Sequence, residues 1–109
     1  TESSVAMEWF GYAGTMGKNL TKESDADRYT LRIDGTLASA VDYRVSGNAI
    51  SFTHTFTDPK HRGEGLAGEI VEFAVNDVES TTQYRVVPMC WYVGEWFDKH
   101  PDRASLLTR

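Results

Sequence analysis

One stretch, from Ile50 to Val78, leaves this chain few folds to choose from. Ile50-Ser-Phe-Thr-His-Thr-Phe-Thr57 alternates apolar and polar residues at period two, the pattern of a half-buried strand. Asp58-Pro59 ends the run, and Arg62-Gly-Glu-Gly-Leu-Ala67 follows as a glycine-rich turn. Beyond it Leu66, Ala67, Ile70, Val71, Ala74, Val75 and Val78 recur at helical spacing, predicting a helix over 64–80. A strand that feeds a glycine turn opening a helix aims unpaired backbone N–H groups at one point. Such a point suits an anion, phosphate above all; the competing reading is a strand-to-helix turn with no ligand. The missing Gly-Lys-Ser/Thr ending argues against a nucleotide-hydrolysing P-loop.

The flanking sequence supplies the partners that this unit needs. Tyr29, Leu31 and Ile33 alternate with polar residues, Asp34-Gly35 marks a hairpin, and Leu37, Ser39, Val41, Tyr43 and Val45 are expected on one face of the next strand. Ser46-Gly47-Asn48 turns the chain into the strand from Ile50, completing a three-stranded antiparallel meander. A meander cannot bury its apolar face alone, so the helix must pack on it. Tyr84-Arg-Val-Val-Pro-Met-Cys90 reads as a strand parallel to 50–57, because a crossover helix precedes it. Pro88 has no N–H to give a ladder, so the pair should splay there. Tyr92 to His100 reads as a short second helix ended by Pro101, and Ser105-Leu-Leu107 as an apolar clasp. Residues 1–27 are read as an N-terminal extension of the domain. Val5, Met7, Trp9, Phe10 and Tyr12 suit a short strand or edge covering, Gly11, Gly14 and Gly17 a plain loop, and Asn19 to Asp27 a solvated segment. The expectation is a single α+β domain over 1–109 with a mixed sheet.

At 109 residues with a net charge of −5, the chain lacks the basic clusters that nucleic acid requires. No apolar run approaches the ~20 residues of a membrane helix, and no secretory pattern opens the chain, so a cytoplasmic protein is expected. The single cysteine, Cys90, excludes an internal disulfide. Cys90 and the three histidines show no metal-ligand spacing, so no metal is expected. A monomer or weak dimer is expected.

The meander, then Arg-x-x-Gly-x-Ala opening a helix, then a strand ending in a bend, resembles the GCN5-related N-acetyltransferase fold. More narrowly, His54-Thr55, Pro59, Arg62-Gly-Glu-Gly-Leu-Ala67, Val87-Pro-Met-Cys90, Tyr92-Val93 and His100-Pro101 resemble a small single-domain subfamily with a cysteine after the pyrophosphate helix. The likeness spans about residues 27–107. Glu64, where many relatives are basic or neutral, and the aromatic N-terminal extension depart from it. The resemblance implies acetyl-CoA as cosubstrate, its pyrophosphate cradled by Arg62, Gly63, Glu64, Gly65, Leu66 and Ala67 and its arm beside Thr55, Phe56 and Thr57. It implies acetyl transfer to an unidentified amine, a small molecule or a protein or peptide, directly or through Cys90. The alternative is a CoA-binding module with vestigial or no transferase activity.

A few side chains could carry the chemistry. By the resemblance, Cys90 is the catalytic candidate, as transient acetyl acceptor or as a group lining the acetyl pocket; a lone cysteine is otherwise a small buried hydrophobe. His54 is the candidate base. Strict alternation puts it on the apolar face with Ile50, Phe52 and Phe56, where it could equally be a hydrogen-bonded core residue, unless a bulge turns it toward the acetyl pocket. Tyr92, like Tyr84, could protonate the departing CoA thiolate or simply pack. Trp91, Trp96 and Phe97 should cover the core or the cofactor arm, and His61 and His100 should lie at the surface.

Overall fold

The computed structural model describes residues 17–109; the aromatic positions between Val5 and Tyr12 lie outside them. Five strands, β1 (Lys18–Glu23), β2 (Arg28–Ile33), β3 (Thr36–Ser46), β4 (Ala49–Thr57) and β5 (Arg85–Pro88), form one sheet in sequence order. The first four are antiparallel neighbours, and β5 runs parallel to β4. Helix α1 (Leu66–Thr81) makes the crossover between β4 and β5, and α2 (Trp91–Asp98) follows β5. The fold is mixed α+β, as expected, with the meander, crossover helix, short parallel strand and C-terminal helix in the expected order.

The meander has one strand more than the sequence suggests. Lys18–Glu23 pairs along β2 from Lys18–Ile33 to Glu23–Arg28 instead of forming a solvated loop. As an edge strand it is held by backbone bonds and stays exposed at every position except the half-buried Glu23. No apolar alternation is required of it, so none marks it. Two of its lysines reach α1: Lys18 bonds Glu69 and Lys22 pairs with Asp77.

Burial explains the crossover. Leu66, Ile70, Val71, Ala74, Val75 and Val78 of α1 are buried against Tyr29, Leu31, Val41, Ile50 and Phe52 of the sheet. Tyr29 also donates its hydroxyl to Asp77 Oδ2 at 2.7 Å, tying β2 to the helix. Val93, Trp96 and Phe97 of α2 and Leu106 of the following 3-10 segment (Pro101–Leu107) close the same core, so the expected clasp forms. Beyond it, Arg109 donates to the carbonyls of Val78, Thr82 and Tyr84, joining the end of α1 to the approach to β5.

Two bulges break the expected alternation. Ala38 is extra between the pairs Leu31–Ser39 and Arg32–Leu37, and Thr53 is extra between Tyr43–Phe52 and Asp42–His54. An inserted residue reverses which face later side chains take. Leu37 therefore leaves the face of Ser39, Val41 and Tyr43. Val45, near the end of β3, is 42% exposed.

Ile70→Ala should lower stability by ~2–5 kcal/mol, the cost of emptying a fully buried aliphatic site. Val45→Ala should stay within ~0.5 kcal/mol, as for an exposed position. Urea unfolding of the two variants checks this pair, with a lower midpoint for Ile70→Ala alone.

Candidate active site

The site is built where β4 and β5 part. Their ladder runs from Ala49–Arg85 to Phe52–Pro88 and stops. Met89 N–H turns back to the Val87 carbonyl, and Cys90 N–H makes a last bond to the Phe52 carbonyl at 2.9 Å. Past that point the two chains separate. A cleft of about 430 Å³ opens between them, walled by Thr55 and Thr57 of β4, Arg62 and Ala67 of the turn, and Cys90, Trp91 and Tyr92. It adjoins a second cleft of about 320 Å³ over the glycine turn, with Thr57, Arg62, Ala67 and Tyr92 common to both. Sequence alone places a slot here; the structure makes it continuous with the anion turn.

The turn is well suited to an anion. Asp58 accepts from Lys60 N–H and starts a 3-10 turn over Pro59–His61. Arg62 and Glu64 spend their N–H groups within the turn, on the carbonyls of Pro59 and His61. The N–H groups of Gly63, Gly65, Leu66, Ala67 and Gly68 find no acceptor among the described residues. Gly65 precedes α1 at φ +77° and Gly63 stands at +85°, with open space where a Cβ would lie. Backbone conformation, not crowding, calls for glycine here. Five donors without acceptors gather at the positive end of a 16-residue helix, an arrangement that suits an anion. Glu64 turns its carboxylate onto His61 Nδ1 at 3.1 Å, so its charge sits on a neighbouring side chain. Gly68 is a donor that the glycine pattern does not single out. Counting three positions into the helix from Gly65 finds it.

Cys90 is half-buried and directly precedes α2. Its Sγ lies 3.5 Å from Thr55 Oγ1. Burial pushes the thiol up, but hydrogen bonds from the Thr55 hydroxyl and from the backbone N–H groups of Tyr92, Val93 and Thr55 outweigh it and hold the group below the ordinary thiol value. Tyr92 is half-buried, and burial, helped by the charge of Glu95, raises its hydroxyl above the usual phenol value. That hydroxyl would stand 3.6 Å from a Cβ on Gly68, so Tyr92 reaches from the cysteine side across to the first turn of α1. Trp91, 75% exposed, packs edge-on against the Tyr92 ring.

The remaining expected residues fall elsewhere. The Thr53 bulge separates His54 and Phe56 from Ile50 and Phe52, and both line a recess on the other face of the sheet with Leu37, Ala40, Arg28 and Asp42. The bulge thus turns His54 out of the core, but away from Cys90. The Phe56 side chain points with it, while its carbonyl accepts from Ser39 Oγ. His100 stacks on Trp96 and bonds its carbonyl, and Trp96 and Phe97 are core residues. A larger cleft of about 560 Å³ lies on the face away from α1. It has no helix start beside it, so size alone does not make it the anion site.

A family model described as GCN5-related N-acetyl-transferase matches residues 28–106. A search of curated proteins returns no significant match.

The hydrogen bonds to Cys90 favour its thiolate, so alkylation by iodoacetamide should show a pH midpoint below that of a free cysteine thiol measured alongside. Thr55→Val removes one of those bonds and should move the midpoint upward. A midpoint unchanged by Thr55→Val would contradict the assignment.

Proposed function

Because the chain belongs to the GCN5-related N-acetyltransferase family, we propose that it binds acetyl-CoA in the cleft between β4 and β5 and moves the acetyl group to an amine. The observation that carries this reading is the continuity of the cleft: five unspent N–H donors at one end, Cys90 and Thr55 at the other. The donors of Gly63 and Gly65 to Gly68 take the pyrophosphate, with Arg62 beside them. Thr55 to Thr57, on the edge that β5 leaves unpaired, run beside the pantetheine arm, and Tyr92 spans the two ends. The acetyl thioester comes to lie near Cys90.

The chemistry follows from the groups at that end. Acetyl-CoA supplies an activated acyl group. A backbone N–H on the unpaired edge of β4, beside Thr55, stabilises the negative charge that grows on the carbonyl oxygen. The incoming amine arrives from the opposite face of the sheet, where His54 stands as the candidate base. The carbon–sulfur bond breaks, and the CoA sulfur leaves with a proton from Tyr92 or water. A covalent variant is favoured by the placement of Cys90, whose Sγ lines the cleft 3.5 Å from Thr55 Oγ1: the thiolate attacks the thioester, CoA departs, and the amine then takes the acetyl group from Cys90.

Mixed with acetyl-CoA and no acceptor, the protein should gain one acetyl group on Cys90 by mass spectrometry if the covalent route operates, and Cys90→Ala should gain none. An unmodified protein, together with an active Cys90→Ala variant, selects direct transfer. Acetyl-CoA that neither raises the melting temperature nor loses its acetyl group to any amine would overturn the function itself.

A further inference from the structure

The sheet face turned away from α1 carries the larger cleft, about 560 Å³, walled among others by Asp27, Arg28, Asp42, Arg44, Thr53 and Met89. A more apolar recess of about 250 Å³ adjoins it through Arg28 and Asp42 and is walled by Leu37, Ala40, His54 and Phe56. Their place in the sheet matters. After the last pair, Phe52–Pro88, the next residues Thr53 and Met89 line this outward cleft, while Thr55 and Cys90 line the other. The two clefts reach one gap from opposite faces, so a molecule in the outward cleft faces the region of Cys90 through the parting of the strands.

The charges in the cleft are balanced. Arg28 Nε donates to Asp42 Oδ1 at 2.9 Å, and each side chain stays about a third exposed. Asp27 and Arg44 bring one further charge of each sign, and neither side chain has a hydrogen-bond or ion-pair partner among the described residues. A polyamine entering here meets two guanidinium groups, and a plain acid meets two carboxylates. A small molecule with one carboxylate and one ammonium matches both signs, and the adjoining apolar recess accepts a hydrocarbon side chain.

On the acetyltransferase reading given above, we propose that this outward cleft is the acceptor site and that the acceptor is a free α-amino acid with an apolar side chain. Arg44 takes its carboxylate. Asp27 and Asp42 draw in its ammonium group, and the side chain enters the recess of Leu37, Ala40 and Phe56. The ammonium gives one proton to His54 or water, and the amine nitrogen bonds to the acyl carbon. The carbon–sulfur bond breaks, and the sulfur leaves as a thiol. The products are an N-acetyl amino acid and free CoA.

Acetyl transfer to leucine, leucinamide and spermidine tests this, with CoA titrated into the same protein by calorimetry. Leucine should exceed both other acceptors in kcat/KM by at least ~10-fold, the scale of one charge-assisted hydrogen bond. In Arg44→Gln the preference for leucine over leucinamide should collapse toward one, mainly through KM. Spermidine or leucinamide matching leucine, or a preference that survives Arg44→Gln, would overturn the proposal. CoA binding with no amino acid acetylated removes the amino-acid acceptor alone; absence of CoA binding removes the underlying acetyltransferase reading.

Discussion

The structure depends on a hydrogen-bond ladder that stops. β4 and β5 pair over four residues and then part, because Pro88 offers no N–H and Thr53 bulges from the facing strand. A continuous ladder would leave no gap in the sheet. The parting instead leaves an unpaired edge on β4, lets Cys90 hold the Phe52 carbonyl at the mouth, and starts α2 directly afterwards. The cysteine thus meets both the β4 edge, through Thr55, and the first N–H groups of a helix.

The core holds this gap open. Ile50 and Phe52 are buried under α1, and Val86 is buried beside them, so both strands are anchored up to the point of divergence. The same helix that buries them begins just after Gly65, which sets its unspent N–H donors at a fixed distance from the cysteine. Packing and the candidate site therefore share one element: the apolar face of α1 stabilises the sheet while its first turn presents unspent donors. Tyr92 bridges the ends of this arrangement, with its ring against Trp91 and its hydroxyl beside Gly68.

Much of this was legible in the sequence because the signals were local. The strand at 50–57, the glycine turn, the helical repeat of Ile70, Val71, Ala74 and Val75, and the stop at Pro88 each follow from residues within a few positions of one another. What was not legible depended on partners far away or on single insertions. β1 is an exposed edge strand held by backbone pairing to β2 and by polar side chains, so Asn19 to Glu23 carry no apolar rhythm. The bulges at Ala38 and Thr53 leave no mark in composition, yet they send Leu37, His54 and Phe56 to the outward face. The outward cleft draws on β2, β3, β4 and the chain after β5, a juxtaposition that only the sheet order reveals.

The central claim is that one ligand path joins the start of α1 to Cys90 through the parting of β4 and β5. Amide NMR during a titration with CoA addresses it most directly. The account predicts the largest shifts at Gly63, Gly65, Leu66, Ala67 and Gly68, continuing through Thr55 and Thr57 to Tyr92. Shifts confined to the outward face around Arg28, Asp42 and Arg44, or none at saturating CoA, would contradict it.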